Sequence, residues 1–202
     1  MARGKFIVFE GIDGAGKTTQ IARLAEALSG AGRTVYTTAE PTESVIGDLL
    51  RAALSGKDDR TPAEMAALFA LDRIGHNREI AAQLAAGKDV ICDRYYYSSL
   101  AYQGSLCDYE WVRRMNCSCP DIRRPDLCVF LDLTTDQALS RIAVRGIEAE
   151  IYEKRETLSL FRDTFLRILR TLPDSVAVVD ASGSVDEVAA AVRAAVKRRL
   201  FI

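Results

Sequence analysis

Short runs of apolar and β-branched residues alternate along the chain with longer segments in which apolar residues recur every three or four positions. The short runs predict strands at the following positions: 5–10, 33–40, 89–93, 127–133 and 175–180. The longer segments predict helices at 18–30, 44–55, 62–86, around 98–115, 135–143, 150–171 and 184–199. Because parallel strands need helical crossovers, this alternation predicts an α/β fold in which helices cover both faces of a five-stranded parallel sheet.

The composition is typical of a globular protein, and we expect residues 1–202 to form a single domain. Lys and Arg total 27 against 28 Asp and Glu, so the formal net charge of -1 predicts neither nucleic acid nor an anionic membrane as a partner. Apolar runs are all shorter than the roughly 18 residues of a membrane span, and the first residues do not resemble a secretion signal. The expected location is therefore the cytoplasm.

A glycine-rich segment connects the first predicted strand to the first predicted helix. Its residues 11–18, GIDGAGKT, match the phosphate-binding pattern G-x-x-x-x-G-K-[ST]. Glycines let backbone amides converge on an anion, and the following helix adds the positive end of its dipole. A chance match is the alternative. We expect a nucleoside triphosphate to bind these residues: Gly11, Ile12, Asp13, Gly14, Ala15, Gly16, Lys17, Thr18 and Thr19.

Polar residues also follow other strands at the carboxyl edge of the sheet, where ligands of such sheets bind. Asp93 ends the third predicted strand, and its carboxylate and the Thr18 hydroxyl form a candidate Mg²⁺ site. Helix capping is the alternative role for Asp93. Arg94 follows directly, where its guanidinium could grip the oxygens of donor and acceptor phosphates; a solvated surface arginine is the alternative.

Four segments, FEGIDGAGKTTQ, EPT, LFALDR and DRYYYSSLAYQG, occur in the order found in thymidylate kinases. The chain closely resembles that family over essentially its whole length, and the last segment is specific within P-loop kinases. The resemblance implies a three-layer P-loop NTPase fold with a small lid near 141–155. It also implies ATP as phosphate donor with Mg²⁺, dTMP as acceptor, dTDP as product, and a homodimer. A kinase for another deoxynucleotide or a nucleoside is the nearest alternative, and a noncatalytic nucleotide switch is a more distant one.

The resemblance also assigns an acceptor site. Phe69 would stack on thymine and Arg73, one helical turn later, would contact an exocyclic oxygen, although core packing is the alternative for Phe69. Ser99 and Gln103 are expected to share a helix face and to bond the imide edge, or else to cap a surface helix. The full expected dTMP set is Asp13, Glu40, Pro41, Arg51, Phe69, Arg73, Arg94, Ser98, Ser99, Tyr102 and Gln103.

Three members of this set have sugar or phosphate roles by resemblance. Tyr102 matches a tyrosine that packs beneath the deoxyribose and excludes a 2′-hydroxyl; ordinary core packing is its alternative. Asp13 matches an acidic residue that contacts the 3′-hydroxyl of the sugar. The alternative is that Asp13 only contributes to the solubility of the loop. Arg51 matches an arginine that holds the monophosphate, and a surface arginine on an amphipathic helix is the alternative.

Phosphoryl transfer needs positioned cations more than a covalent nucleophile. Some members of the family carry a basic residue inside the glycine loop, where this chain has Gly14 and Ala15, so we expect the charge to come from the lid arginines Arg141 and Arg145. Solvated arginines in surface ion pairs are the alternative. Two departures from the family pattern are a shorter lid with fewer arginines and the stretch EPTES. The expected catalytic set is Asp13, Lys17, Arg94, Arg141 and Arg145.

Overall fold

The computed structural model describes residues 3–145 and 154–200, apart from the side chain of residue 145. Its strands are β1 (Phe6–Glu10), β2 (Val35–Ala39), β3 (Asp89–Asp93), β4 (Leu127–Asp132) and β5 (Val176–Asp180). Its helices are α1 (Lys17–Gly30), α2 (Val45–Leu54), α3 (Pro62–Ala85), α4 (Tyr96–Ala101), α5 (Tyr109–Cys117), α6 (Thr135–Arg145), α7 (Arg155–Thr171) and α8 (Val185–Leu200). The strands form one sheet in the order β2-β3-β1-β4-β5. Every neighbouring pair is parallel, which confirms the predicted α/β fold.

The three central strands are continuous apolar runs because helices cover them on both faces. β1 is buried along its whole length, and β3 and β4 are buried up to their last residues. Phe9 pairs with Asp93 of β3, and Glu10 pairs with Phe130 of β4. This register brings the carboxyl ends of the central strands to one edge of the sheet, next to the glycine-rich loop.

The region around 98–115 contains helices, as predicted, but they are separated. α4 begins at Tyr96 and ends at Ala101, a 3₁₀ turn covers Gln103–Ser105, and α5 begins after Asp108, whose carboxylate accepts a hydrogen bond from the Trp111 N–H. The expectation that Ser99 and Gln103 share one helix was therefore wrong.

The structure describes only the two ends of the predicted lid, near residues 141–145 and 154–155. α6 runs to residue 145, and α7 begins at Arg155, after Lys154, whose backbone is extended. The predicted start of this helix at residue 150 lies outside the described residues. Residues 146–153, which include the acidic-aromatic segment 150–153 of the predicted lid, lie outside the described residues. Within the described part of the chain, all helices are too short or too polar to cross a membrane.

Candidate active site

The glycine-rich loop forms a tight turn between β1 and α1. Gly11, Gly14 and Gly16 have φ angles of 145°, 82° and 90°, a region that side-chain-bearing residues rarely adopt. A Cβ atom on Gly14 would also lie 2.6 Å from the Ala138 carbonyl oxygen. Among the described residues, no side chain caps the start of α1, so its first amides remain available for an anion.

Lys17 is only 8% exposed and folds back over the loop. Its ammonium donates to the carbonyl oxygens of Gly11 at 3.0 Å and Ile12 at 3.4 Å. Burial, together with the nearby charge of Arg94, lowers the pKa of Lys17. Phosphate oxygens would compensate this charge better than two carbonyl groups do.

Thr18 and Asp93 lie together, as the predicted metal site requires. The Thr18 hydroxyl donates to Asp93 Oδ2 at 3.1 Å. The other carboxylate oxygen, Oδ1, is buried and has no hydrogen-bond partner among the described residues. Since a buried carboxylate oxygen without a partner is costly, the pair fits a hard cation that binds through oxygen.

Arg94 connects the glycine loop to the segment that follows β3. Its left-handed backbone, with φ 67°, turns the chain from β3 towards α4. The guanidinium pairs with the Asp13 carboxylate and donates to Ser98 Oγ and to the Tyr102 hydroxyl, each at 3.2 Å. Burial alone would lower the pKa of Arg94, but Asp13 and other neighbouring acids raise it well above the usual value. Arg94 therefore stays charged in the site.

Glu10 is a buried residue of this edge for which the sequence indicated no role. Its carboxylate accepts from the backbone N–H groups of Tyr95 at 2.8 Å and Ser98 at 3.2 Å, and from Ser98 Oγ at 2.7 Å. Burial raises the pKa of Glu10 to about 7, against the opposing charge of Arg94. Glu10 thus anchors the start of α4 and, through Ser98, the guanidinium of Arg94. An acid ending a wholly apolar strand was the only signal for it.

Two cavities meet at this edge. The larger has a volume of about 700 Å³ and lies over the glycine loop, where Lys17, Thr18 and Asp93 line it. The smaller, of about 120 Å³, lies between α3 and α4. Both are lined by Asp13, Glu40, Pro41, Leu54 and Arg94.

The smaller cavity brings together every member of the expected dTMP set except Arg51, which lines the larger cavity. Leu54 and Tyr95 also line it, and the sequence did not single them out. The Phe69 ring packs against a cluster of Leu50, Ala53 and Met65 and also lines the cavity. Its core-packing and base-stacking interpretations are therefore compatible.

Arg73 lies at the back of the smaller cavity with only 1% of its surface exposed. Its Nε donates to Glu40 Oε2 at 2.8 Å, its Nη1 donates to Ser99 Oγ at 3.1 Å, and Nη1 also donates to the Asn116 side chain. On the far side of Glu40, Oε1 lies 3.0 Å from His76 Nδ1. The guanidinium is thus held by acceptors from several elements, and of these Asn116 was missed from the sequence.

Arg51 lies near the loop that follows β2. Its guanidinium donates to the Thr42 carbonyl oxygen and to Asp48 Oδ1, both at 2.7 Å. The same loop is held by Asp72 of α3, whose carboxylate accepts from the Thr42 N–H at 2.8 Å. The EPTES stretch, which departs from the family pattern, is therefore tied to the helix that carries Phe69 and Arg73.

Of the two lid arginines, the structure places the side chain of Arg141 only. Its Nη2 donates to the Ala181 carbonyl oxygen at 2.9 Å, and the residue lines the larger cavity opposite the glycine loop. The side chain of Arg145 lies outside the described part of the chain.

A cavity of about 1160 Å³, more voluminous than either of these two, lies elsewhere, along α3 and the loop near Pro120. Its lining includes Leu71, Arg78 and Asp121 but none of the predicted site residues. Cavity volume alone would therefore select a region without the predicted site residues. We place the candidate active site where the glycine loop, the carboxylates and the arginines converge.

The chain is similar to known proteins over nearly its whole length. The family profile described as thymidylate kinase matches residues 9–192. The probable thymidylate kinase of Pyrococcus horikoshii is 40% identical over 207 residues, which covers 98% of each chain. The thymidylate kinase of Geotalea uraniireducens is 38% identical over 209 residues, again 98% of each.

A solved structure of thymidylate kinase from Candida albicans has the same fold. It superposes with a TM-score of 0.84 at 24% identity and covers 98% of this chain and 93% of its own. At that identity the likeness concerns the fold alone. The profile and the two relatives, each matched over nearly the whole length, decide the family, and the chain belongs to the thymidylate kinases.

Proposed function

We propose that this chain transfers the γ-phosphate of ATP to dTMP and releases ADP and dTDP. The observation that carries the proposal is the junction of two cavities, one over a phosphate-binding loop and one lined by an aromatic ring and a fixed guanidinium. Asp13 and Arg94 line both, so a group held in one cavity can meet a group held in the other. The relatives named thymidylate kinase support the same reaction.

The donor half of the reaction is assigned to the glycine loop. The uncapped amides of α1 and the ammonium of Lys17 would hold the β- and γ-phosphates of ATP. Thr18 and Asp93 would hold Mg²⁺, which supplies charge neutralisation on the phosphate oxygens when bound.

The acceptor half is assigned to the smaller cavity. Phe69 would stack on the pyrimidine, and Arg73 would donate to its carbonyl edge. Arg51 and Arg94 line the larger cavity, where the monophosphate would face the donor. Tyr102, whose ring lies 5.3 Å from the Arg94 guanidinium carbon, would pack against the sugar.

The transfer itself needs orientation and positive charge, because the loose transition state leaves little covalent chemistry to the protein. Lys17 would supply this charge in the larger cavity and Arg94 where the two cavities meet, and Arg141 lines the larger cavity from α6. Arg145 stays a prediction from the sequence.

A panel of monophosphates tests the acceptor assignment. We expect dTMP to give the highest kcat/KM in a coupled ADP-release assay, with dUMP lower by about 10- to 200-fold because it lacks one methyl group. The Lys17→Ala protein, purified in the same way, controls for contaminating kinases. A faster rate with dCMP than with dTMP would contradict the assignment, and a chain that neither binds nor phosphorylates dTMP would point to a nucleotide switch instead.

We also propose that the chain forms a homodimer in the cytoplasm. Support for an interface comes from apolar side chains left exposed on α2 and α3, among them Val45, Leu49 and Leu71. Static light scattering should give a mass of twice the 22.2 kDa of the chain. A monomeric mass at micromolar concentration would contradict this proposal.

A further inference from the structure

Asn116 belongs to α5, a helix that carries none of the expected site residues, yet its side chain contacts the guanidinium of Arg73, which lines the smaller cavity, here called the base cavity. It is 1% exposed. Its Oδ1 accepts from Nη1 of Arg73, and its Nδ2 donates to the Val112 carbonyl oxygen one helical turn earlier at 2.9 Å. Because both ends of the amide are engaged, the amide cannot flip without losing two buried hydrogen bonds.

The hydrogen-bond donors of the Arg73 guanidinium show what its contact with Asn116 does. A guanidinium has five N–H groups. Nε donates to Glu40, and the two hydrogens of Nη1 are taken by Ser99 and Asn116. Nη2 lies 2.6 Å from Glu40 Oε2, the oxygen that already accepts from Nε, as part of the ion pair. Among the described residues, Nη2 makes no hydrogen bond, so its hydrogens are left for a ligand.

Asn116 is uncharged, so it accepts a hydrogen bond from Arg73 without adding charge behind the cavity. Arg73 and Glu40 form a buried ion pair, so the back of the cavity is close to neutral, which suits an uncharged pyrimidine. Ser99 comes from α4, Glu40 from the position directly after β2 and Asn116 from α5, and together they fix the guanidinium on several sides. If Asn116 were removed, a buried Nη1 hydrogen would lose its acceptor and the guanidinium would be free to turn towards another.

We propose that Asn116 is a positioning residue for base recognition, which sets the rotation of the Arg73 guanidinium so that an Nη2 hydrogen meets a carbonyl oxygen of the pyrimidine. The inference rests on the proposed reaction with dTMP. It differs from a purely structural role, in which Asn116 would only join α5 to α3.

The test is a double-mutant cycle on dTMP kinetics. In the wild-type background, Asn116→Ala should raise the KM for dTMP about tenfold, the effect of one hydrogen bond to a charged group. The kcat at saturating dTMP and the KM for ATP should change less than about twofold, because the phosphate-binding residues are untouched. In an Arg73→Met/Glu40→Gln background, Asn116→Ala should have no further effect on the KM for dTMP.

Two further variants keep the result interpretable. Tyr97→Phe is the control: it removes a buried hydrogen bond from Tyr97 to Asp174, and neither of these residues lines the base cavity. This variant should leave the KM for dTMP unchanged. Asn116→Ser, whose hydroxyl is too short to reach Arg73, should reproduce the KM effect if the alanine variant does not fold. Far-UV circular dichroism checks each fold.

Equal increases in KM in both backgrounds, or no increase in either, would overturn the positioning role. A wild-type chain that does not phosphorylate dTMP gives a different result: it would overturn the proposed function, and the role of Asn116 with it.

Discussion

Replacing Lys17 with alanine is expected to lower phosphoryl transfer by about a thousandfold or more, since a positioned charge on the transferring phosphate is worth that much. The same change should leave the free energy of unfolding unchanged or raise it. Burial lowers the pKa of Lys17, which means that the folded chain disfavours its positive charge relative to the unfolded chain. Alanine removes that cost and loses only two hydrogen bonds to loop carbonyl oxygens.

The measurement pairs the coupled assay with urea unfolding. Lys5→Ala is the matched control, because Lys5 immediately precedes β1, at the opposite end of that strand from the glycine loop. It should keep wild-type turnover. If Lys17→Ala retained more than about a tenth of wild-type turnover, the phosphate role of Lys17 would be wrong.

Arg73→Ala is expected to weaken dTMP binding and also to destabilise the fold. The guanidinium and the Glu40 carboxylate form an ion pair that is almost completely buried. Removing one partner leaves an uncompensated buried charge, which costs about 3–5 kcal/mol of unfolding free energy. In the sequence, the family resemblance assigned Arg73 a contact with the base, and no local pattern showed that Arg73 and Glu40 are paired.

A paired substitution separates the two effects. Arg73→Met with Glu40→Gln removes both charges at similar volume, so it should recover most of the lost stability while the KM for dTMP stays high. Urea unfolding and dTMP-dependent kinetics on both variants provide the comparison. A normal KM for dTMP in the stable double variant would show that Arg73 does not contact the base.

The features that the sequence predicted best are those that depend on residues close together along the chain. The glycine loop follows from the local conformations of Gly11, Gly14 and Gly16. Phe69 and Arg73 line one cavity because they lie one helical turn apart on α3. The register of the parallel sheet then explains why Asp93 and the loop meet, since the strands of a parallel sheet end at the same edge.

Contacts between distant segments were not predictable in this way. Asn116 is 43 residues from Arg73 and lies in a helix with no nucleotide-binding motif. The Glu10 carboxylate accepts a hydrogen bond from the N–H of Tyr95, at the start of α4 and 85 residues later in the chain. The break between α4 and α5 also depends on packing, because a Cβ atom on Gly104 would lie 2.9 Å from the Tyr109 ring. No local pattern encodes such pairings.

The central claim is that a pyrimidine nucleotide and a triphosphate occupy adjoining cavities at one edge of the sheet. A crystal structure of the chain with dTMP and a non-hydrolysable ATP analogue tests it most directly. We expect the pyrimidine in the cavity lined by Phe69 and Arg73, its phosphate near Arg51 and Arg94, and the triphosphate on the loop 11–18. A structure with both nucleotides bound, in which the pyrimidine lies elsewhere and Phe69 and Arg73 contact only protein, would contradict the account.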